Sequence, residues 1–153
     1  MNTTASMRIA PAQSEDLPQL ALLEQRVFET VVYPEFFFRQ AHDLWPDFLL
    51  LAWNHGQLAG YILAAPAQQG PHSIGILSLA VAPEFRGAGV GAALLNALLL
   101  QLPQDCQRLW LTVAPENLQA VKLYTKFGFH QEKHLENYYG QGEHRLILAK
   151  QLG

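Results

Sequence analysis

The sequence predicts a mixed α/β fold, in which one central sheet has helices on both faces. Apolar segments of strand length alternate with segments whose apolar residues recur at helical spacing. Three strand-like segments follow one another in the middle of the chain, which indicates an antiparallel meander. The 153 residues are 50% hydrophobic and 15% charged, and neither a repeat nor a linker divides them. We therefore expect one domain with a substantial core.

The first three predicted elements are a strand and two helices. Ser14 or Asp16 can cap the first helix, whose apolar residues form one stripe. A loop should precede Pro34, because the residue before a proline is pushed out of helical geometry. These elements are the strand Arg8–Ala10, a helix that ends near Glu29, the loop Thr30–Pro34 and a helix from Glu35 to about Leu44.

The meander comes next. Asn54-His55-Gly56-Gln57 is a hairpin signal, since Asn and Gly readily adopt the backbone conformations of tight turns. A loop that contains Gly70 and Pro71 precedes the last of the three strands. The predicted strands are Phe48–Trp53, Leu58–Ala65 and Ser73–Val81.

Helices and strands alternate in the rest of the chain, which completes the order β-α-α-β-β-β-α-β-α-β-β. A long apolar helix begins at Gly89 and ends at Pro103, and Gly128 occupies the C-cap position of the last helix. The remaining elements are the strand Arg108–Val113, the helix Asn117–Phe127 and the strands Phe129–Lys133 and His144–Lys150.

Composition limits the function classes. A formal charge of −3 and a pI near 6.0 give no electrostatic reason to expect nucleic acid as a partner. Cys106 is the one cysteine, which excludes an internal disulfide and a cysteine-rich metal site and fits a reducing compartment. Residues 1–6 resemble a disordered tail rather than a signal peptide, so we expect residues 7–153 to form the domain. We expect a cytoplasmic monomer or homodimer without metal and without a membrane span.

The segment from Arg86 to Gly91, RGAGVG, leads directly into the apolar helix. Glycines at a helix start expose unpaired N–H groups at the positive end of the helix dipole, and these conditions suit a phosphate. A nucleotide P-loop is excluded, because Ala92-Ala93 stands where Lys and Ser or Thr are needed. The dinucleotide pattern G-x-G-x-x-G/A is met formally, but it should follow the first strand of a βαβ unit rather than a meander.

Two motifs together resemble the GNAT acetyltransferase superfamily. Arg86-x-x-Gly89-x-Gly91 after Leu79–Pro83 is similar to its acetyl-CoA pyrophosphate signature, and Leu111–Phe129 is similar to its second signature. The resemblance covers essentially the whole chain. It implies a mostly antiparallel sheet of about six to seven strands, with acetyl-CoA as the acetyl donor.

The resemblance also implies roles for residues. The expected cofactor contacts are Leu79, Ala80, Val81, Arg86, Gly87, Ala88, Gly89, Val90, Gly91, Asn117, Ala120 and Tyr124. Tyr124 matches the general acid that protonates the departing thiolate, and the backbone N–H of Val81 matches the oxyanion donor. Helical spacing independently places Asn117 and Tyr124 on one face. A core aromatic remains the alternative interpretation of Tyr124.

The general base is not identified by the resemblance. N-terminal acetyltransferases of this superfamily often carry Glu or His at the position of Thr112, and some carry Tyr at that of Gly75. The amine must nevertheless lose a proton before it attacks. The candidate replacements are Glu35, His72, His134 and the pair Tyr138-Tyr139.

The acceptor is predicted from two loops. The segment around Tyr138-Tyr139 resembles the hairpin of ribosomal-protein alanine N-acetyltransferases and their N-terminal acetyltransferase relatives, and Tyr33-Pro34 matches their facing loop. We therefore expect these four residues to bind a protein or peptide N-terminus. Two alternatives remain: an N-acetyltransferase of small amines such as aralkylamines, and an acyl-CoA-binding module without catalysis.

Overall fold

The computed structural model describes residues 7–68 and 72–153. Within these residues, seven strands and four helices follow one another in the predicted order. The strands are β1 Met7–Pro11, β2 Leu49–Asn54, β3 Gln57–Ala67, β4 Ser73–Val81, β5 Arg108–Val113, β6 His130–Leu135 and β7 Arg145–Gln151. The helices are α1 Leu17–Val27, α2 Glu35–Leu44, α3 Val90–Gln101 and α4 Leu118–Lys126. Short 3-10 helices occupy Ser14–Asp16, Pro46–Phe48 and Pro83–Phe85.

The seven strands of the described residues form one open sheet in the order β1-β2-β3-β4-β5-β7-β6. The pairs β1–β2, β2–β3, β5–β7 and β6–β7 are antiparallel, and β4–β5 is parallel. This topology confirms the prediction of a mixed α/β fold with a mostly antiparallel sheet. Sequence order alone does not reveal that β7 lies between β5 and β6, because that placement depends on long-range pairing.

Some element ends differ from the prediction. α1 ends at Val27 rather than near Glu29, because Phe28 already has extended backbone angles. β6 begins at His130 rather than Phe129, because the Phe129 N–H donates to the Tyr124 carbonyl at the end of α4. β3 continues to Ala67 instead of Ala65. The predicted tail 1–6 and the loop glycine and proline at 70 and 71 lie outside the described residues, and the one-domain prediction stays a prediction.

The described residues form two compact units, and each has its own core. The first unit contains residues 7–64 and 78–102, and the second contains residues 65–68, 72–77 and 103–153. In the first unit, Leu49 and Leu51 of β2 join a buried cluster with the apolar stripes of α1 and α2. α3 packs against β1 and β2 with Leu94, Leu95 and Leu98 buried. β2 is buried almost throughout, as expected for a strand that is covered on both faces.

The core of the second unit is formed by β5 and β7. Leu109 and Leu111 of β5 and Ile147 and Leu148 of β7 are buried. β6, at the end of the strand order, is exposed over most of its length. Charged and polar side chains on an outer strand discourage pairing with other chains. The Lys150 ammonium donates to the Phe127 carbonyl at 2.7 Å, and this bond satisfies a carbonyl group at the end of α4.

Gly60 of β3 provides a test of the packing in the first unit. A Cβ at this position would lie 2.6 Å from the Ala80 carbonyl oxygen and 3.1 Å from Val90 Cγ1. Because a backbone oxygen cannot move aside cheaply, we expect Gly60→Ala to lower the free energy of unfolding by about 1–3 kcal/mol in urea titrations. Gly75→Ala in β4 is the matched control, because its Cβ would make ordinary contacts of 3.4 Å or more with Trp110. Equal stability of the two variants would contradict the close approach at Gly60.

Candidate functional site

The glycine-rich segment between β4 and α3 has the backbone geometry of an anion-binding loop. Gly87 and Gly89 have φ values of +83° and +82°, which glycine adopts without the steric cost that a side chain imposes. Gly89 is the N-cap of α3 and offers no side chain to the first turn. A Cβ at Gly87 would meet nothing within 4 Å, so the backbone conformation rather than space requires glycine there. Arg86 is exposed next to this segment.

The residues before this loop lie at the end of β4. The parallel register between β4 and β5 pairs Ser73–Ile76 with Arg108–Leu111. Leu79, Ala80 and Val81 lie beyond the last pair of this register in the described residues. Their backbone groups on that edge are therefore outside the β4–β5 ladder, as the predicted amide contacts with a ligand require.

Asn117 and Tyr124 lie on α4, as the sequence predicts. Asn117 is the N-cap, and its side-chain oxygen accepts a hydrogen bond from the Ala120 N–H at 3.3 Å. Tyr124 is 4% exposed, and its ring meets the edge of Phe129 at a centroid distance of 5.3 Å. Burial raises the pKa of Tyr124 above the usual value for tyrosine, because the phenolate would lose its hydration. The phenol therefore remains a proton donor at neutral pH.

The loop between β6 and β7 holds the predicted tyrosine pair. Tyr138 and Tyr139 are about half exposed, and their rings form an edge-to-face pair with centroids 4.9 Å apart. The Tyr139 hydroxyl lies 2.9 Å from Thr112 Oγ1, and the Arg145 guanidinium lies over its ring. Thr112 is therefore the hydrogen-bond partner of Tyr139, which is predicted to bind the acceptor amine. The sequence marks Thr112 only as the position where a general base is expected and is missing, and it does not predict the contact with Tyr139.

The other two residues that are predicted to bind the acceptor amine, Tyr33 and Pro34, lie in the first unit. Tyr33 stacks on Phe37 with centroids 4.3 Å apart, and Pro34 is the N-cap of α2. The Tyr33 N–H donates to Glu24 Oε2 at 3.0 Å. Glu24 is 1% exposed and also accepts a hydrogen bond of 2.6 Å from the Tyr61 hydroxyl. Sequence reasoning did not select Glu24, although its place within the apolar stripe of α1 was a signal that its carboxylate would be buried.

The candidate bases lie at separate places along the chain. Glu35 is exposed in the first turn of α2, and His134 is exposed on β6. His72 Nδ1 lies 3.0 Å from Asp105 Oδ2. None of these arrangements singles out a base.

Residues 7–68 and 72–153 contain neither a metal-binding cluster nor a membrane-spanning helix. No three or more His, Cys, Asp or Glu side chains in these ranges are grouped so as to hold a metal ion. In the same ranges, no helix combines the length and the apolar character that crossing a membrane requires.

Comparison with known proteins shows which family and which relatives this chain matches. A family model described as acetyltransferase (GNAT) family matches residues 15–129. An N-alpha-acetyltransferase of Sulfurisphaera tokodaii is 28% identical over 95% of this chain and 93% of its own length. A ribosomal protein bS18-alanine N-acetyltransferase of Haemophilus ducreyi is 39% identical over 48% of this chain and 54% of its own length.

A solved structure shares the fold over nearly its whole length. It is Arabidopsis thaliana Naa50 in complex with the bisubstrate analogue CoA-Ac-MVNAL, and it is 26% identical to this chain with a TM-score of 0.84. The alignment covers 96% of this chain and 99% of that structure. The predicted resemblance to the superfamily and to its N-terminal acetyltransferases is confirmed by these matches.

The buried phenol of Tyr124 gives a prediction for alkaline pH. Its folded-state pKa lies above the unfolded value of about 10, so the stability that the neutral form contributes is complete below that pH. As pH rises above about 10, ionisation in the unfolded state should progressively lower the free energy of unfolding of the wild type relative to Tyr124→Phe. Urea unfolding of both proteins from pH 8 to 11 measures this difference. A pH-independent difference would contradict the raised pKa.

Proposed function

We propose that this chain, which belongs to the acetyltransferase (GNAT) family, acetylates the α-amino group of a protein or peptide. It is an acetyl-CoA-dependent N-acetyltransferase, and therefore an enzyme rather than a binding module. The observation that carries the choice of acceptor is the likeness, along nearly the full chain, to a protein named N-alpha-acetyltransferase. The bisubstrate analogue in the Arabidopsis structure joins CoA to a peptide, and this supports the same class of acceptor.

We assign acetyl-CoA binding to three groups of residues. The backbone of Leu79–Val81 binds the pantetheine amides, and the N–H groups from Arg86 to Gly91 bind the pyrophosphate. The positive φ values at Gly87 and Gly89 support the second assignment, because they turn the chain into the first turn of α3, where N–H groups lack helical partners. Asn117, Ala120 and Tyr124 contribute from α4.

The transfer is direct and forms no covalent enzyme intermediate. The neutral amine attacks the thioester carbonyl, and the Val81 N–H stabilises the oxyanion of the tetrahedral intermediate. Tyr124 then protonates the thiolate of coenzyme A as the carbon–sulfur bond breaks, and the proton that the acylated nitrogen loses restores the Tyr124 phenol. Burial keeps the Tyr124 phenol in its neutral form at neutral pH, so its hydroxyl hydrogen is available to the departing sulfur.

The acceptor is bound by two aromatic loops. Tyr33 and Pro34 contribute from the segment before α2, and Tyr138 and Tyr139 contribute from the segment between β6 and β7. Ring stacking on Phe37 holds Tyr33, and the Thr112 hydroxyl holds Tyr139. An aromatic side chain that is held in place can pack against a short peptide and keep water away from the amine.

An acceptor screen tests the choice of amine. The protein is incubated with acetyl-CoA and either peptides of varied first residue or small amines such as phenethylamine, and released thiol is measured. We expect kcat/KM for the best peptide to exceed that of any small amine by at least about 100-fold, because two loops contact the peptide. Mass spectrometry should locate the acetyl group on the α-amine. Preferential turnover of phenethylamine would instead support a small-amine acetyltransferase, for which the exposed Phe36 offers an apolar contact.

Replacement of Tyr124 by Phe tests the general acid. We expect kcat to fall by about 100-fold or more, in the range typical of general acid catalysis, because the thiolate must then leave unprotonated. The affinity for acetyl-CoA, measured by calorimetry, should change by less than about threefold, since the ring remains in place against Phe129. A variant that keeps full turnover would remove Tyr124 from the mechanism.

A further inference from the structure

The carboxylate of Glu24 is buried where a hydrophobic residue would be the ordinary choice. It lies on α1 among the apolar residues that form the core of the first unit and is 1% exposed. Burying a carboxylate costs free energy unless hydrogen bonds replace its hydration. Both of its oxygens are used, because Oε1 accepts from the Tyr61 hydroxyl and Oε2 accepts from the Tyr33 N–H.

Tyr61 extends this contact toward β4. Its side chain is fully buried, and its hydroxyl oxygen lies 2.8 Å from Ser78 Oγ. A phenol carries a single hydrogen, and an ionised carboxylate can only accept. The Tyr61 hydrogen therefore points to Glu24, and the Ser78 hydroxyl donates to the Tyr61 oxygen. The result is a continuous chain of three groups from Ser78 through Tyr61 to Glu24.

The outer end of this chain lies next to the residues assigned to the reaction. Ser78 is partly exposed and directly precedes the segment Leu79–Val81, whose backbone is assigned to acetyl-CoA. The inner end, Glu24, is bonded to the backbone of Tyr33, which is assigned to the acceptor. The chain thus connects the two regions of the first unit where the amine and the thioester are expected.

The surroundings of Glu24 contain no compensating positive charge in the described part of the first unit. The groups that act on it are the Tyr61 hydroxyl from β3 and the Tyr33 amide, and both are neutral. The α2 side chain that touches Tyr61 is the apolar Phe38. Arg26, two residues along α1, is paired with Glu84 at 2.6 Å. Burial therefore dominates and raises the pKa of Glu24, while its two hydrogen bonds act in the opposite direction.

We propose that Ser78, Tyr61 and Glu24 form the route by which the proton leaves the acceptor amine, with Glu24 as the final acceptor. This inference rests on the proposed function. The ammonium N–H bond breaks and its proton binds to Ser78 Oγ, the Ser78 hydrogen passes to the Tyr61 oxygen, and the Tyr61 hydrogen passes to Glu24. The amine becomes neutral and the carboxylate becomes a carboxylic acid. After the product leaves, the proton returns along the same chain to water at Ser78.

The chemistry of the acceptor explains why a buried carboxylate suits this task. An α-amino group has a pKa of about 8 and an exposed glutamate one of about 4.3, so transfer to an ordinary glutamate is unfavourable by three to four pKa units. Burial raises the pKa of Glu24 and so narrows the difference between its pKa and that of the amine. Attack on the thioester then consumes the neutral amine, which draws the remaining unfavourable proton transfer forward. Glu24 and Tyr61 act through Ser78 and are therefore positioning residues.

Three variants interrupt the route in different ways. Tyr61→Phe removes the central hydroxyl, and Ser78→Ala removes the outer one. Glu24→Gln keeps the geometry, since its amide oxygen can accept from the Tyr33 N–H while its NH₂ donates to Tyr61, but it cannot take up a proton. Ser73→Ala is the control on the same strand, because it removes a buried hydroxyl that has no hydrogen-bond partner in the described residues. It should retain wild-type activity.

The decisive measurement compares two peptides that differ only in their first residue, alanine or 3,3,3-trifluoroalanine. Fluorination lowers the pKa of the α-amine, so the second peptide is largely neutral at pH 7 and needs no proton route. About a tenth of an α-amine with a pKa of about 8 is neutral at pH 7, so we expect each of the three variants to lower kcat/KM about tenfold for the alanine peptide and less than threefold for the fluorinated peptide. The loss on the alanine peptide should shrink about tenfold per pH unit up to the pKa of its amine.

The outcomes separate the two proposals. A wild-type protein that acetylates no amine overturns the proposed function and the proton route together. A second result is an active wild type whose variants lower kcat/KM equally for both peptides at every pH. That result overturns only the proton route and leaves Glu24 a structural residue. Full activity of Tyr61→Phe on the alanine peptide does the same. If Tyr61→Phe fails to fold, Glu24→Gln and Ser78→Ala decide by the same comparison.

Discussion

The backbone conformation at Gly87 and Gly89 is the constraint on which the glycine-rich loop and the start of α3 depend. Two positive φ values within three residues turn the chain from β4 into the first turn of α3. A side chain at either position would cost about 1 kcal/mol or more in this conformation. The helix that follows buries Leu94, Leu95 and Leu98, so the packing of the first unit fixes the loop from its carboxyl end. The backbone geometry of this loop thus follows from the folding of one strand–helix connection.

The buried polar network of the first unit imposes a second constraint. Glu24 contributes little to stability by itself, because the desolvation of a carboxylate offsets what its hydrogen bonds provide. Its carboxylate connects two parts of the unit, because it accepts hydrogen bonds from the Tyr33 N–H and from the Tyr61 hydroxyl. A hydrophobic replacement could fill the same volume but would leave the Tyr33 N–H and the Tyr61 hydroxyl without this acceptor.

Thr112 occupies the position where the resemblance to N-terminal acetyltransferases leads us to expect Glu or His. A threonine cannot act as a base at neutral pH. Its hydroxyl instead contacts Tyr139, whose ring also meets the Arg145 guanidinium. The position therefore supports the loop assigned to the acceptor. The proposed proton route therefore ends elsewhere in the chain, at Glu24, which is the buried carboxylate of the described residues.

The sequence by itself determined the order of elements, the glycine-rich loop before α3 and the positions of Asn117 and Tyr124 on α4. These features are local, because glycine conformations, helix caps and apolar periodicity act over a few neighbouring residues. The contacts of Glu24 with Tyr61 and of Thr112 with Tyr139 were decided only by the tertiary structure. Their partners are 37 and 27 residues apart, and no periodicity relates residues that meet through packing. The placement of β7 between β5 and β6 depends on long-range pairing for the same reason.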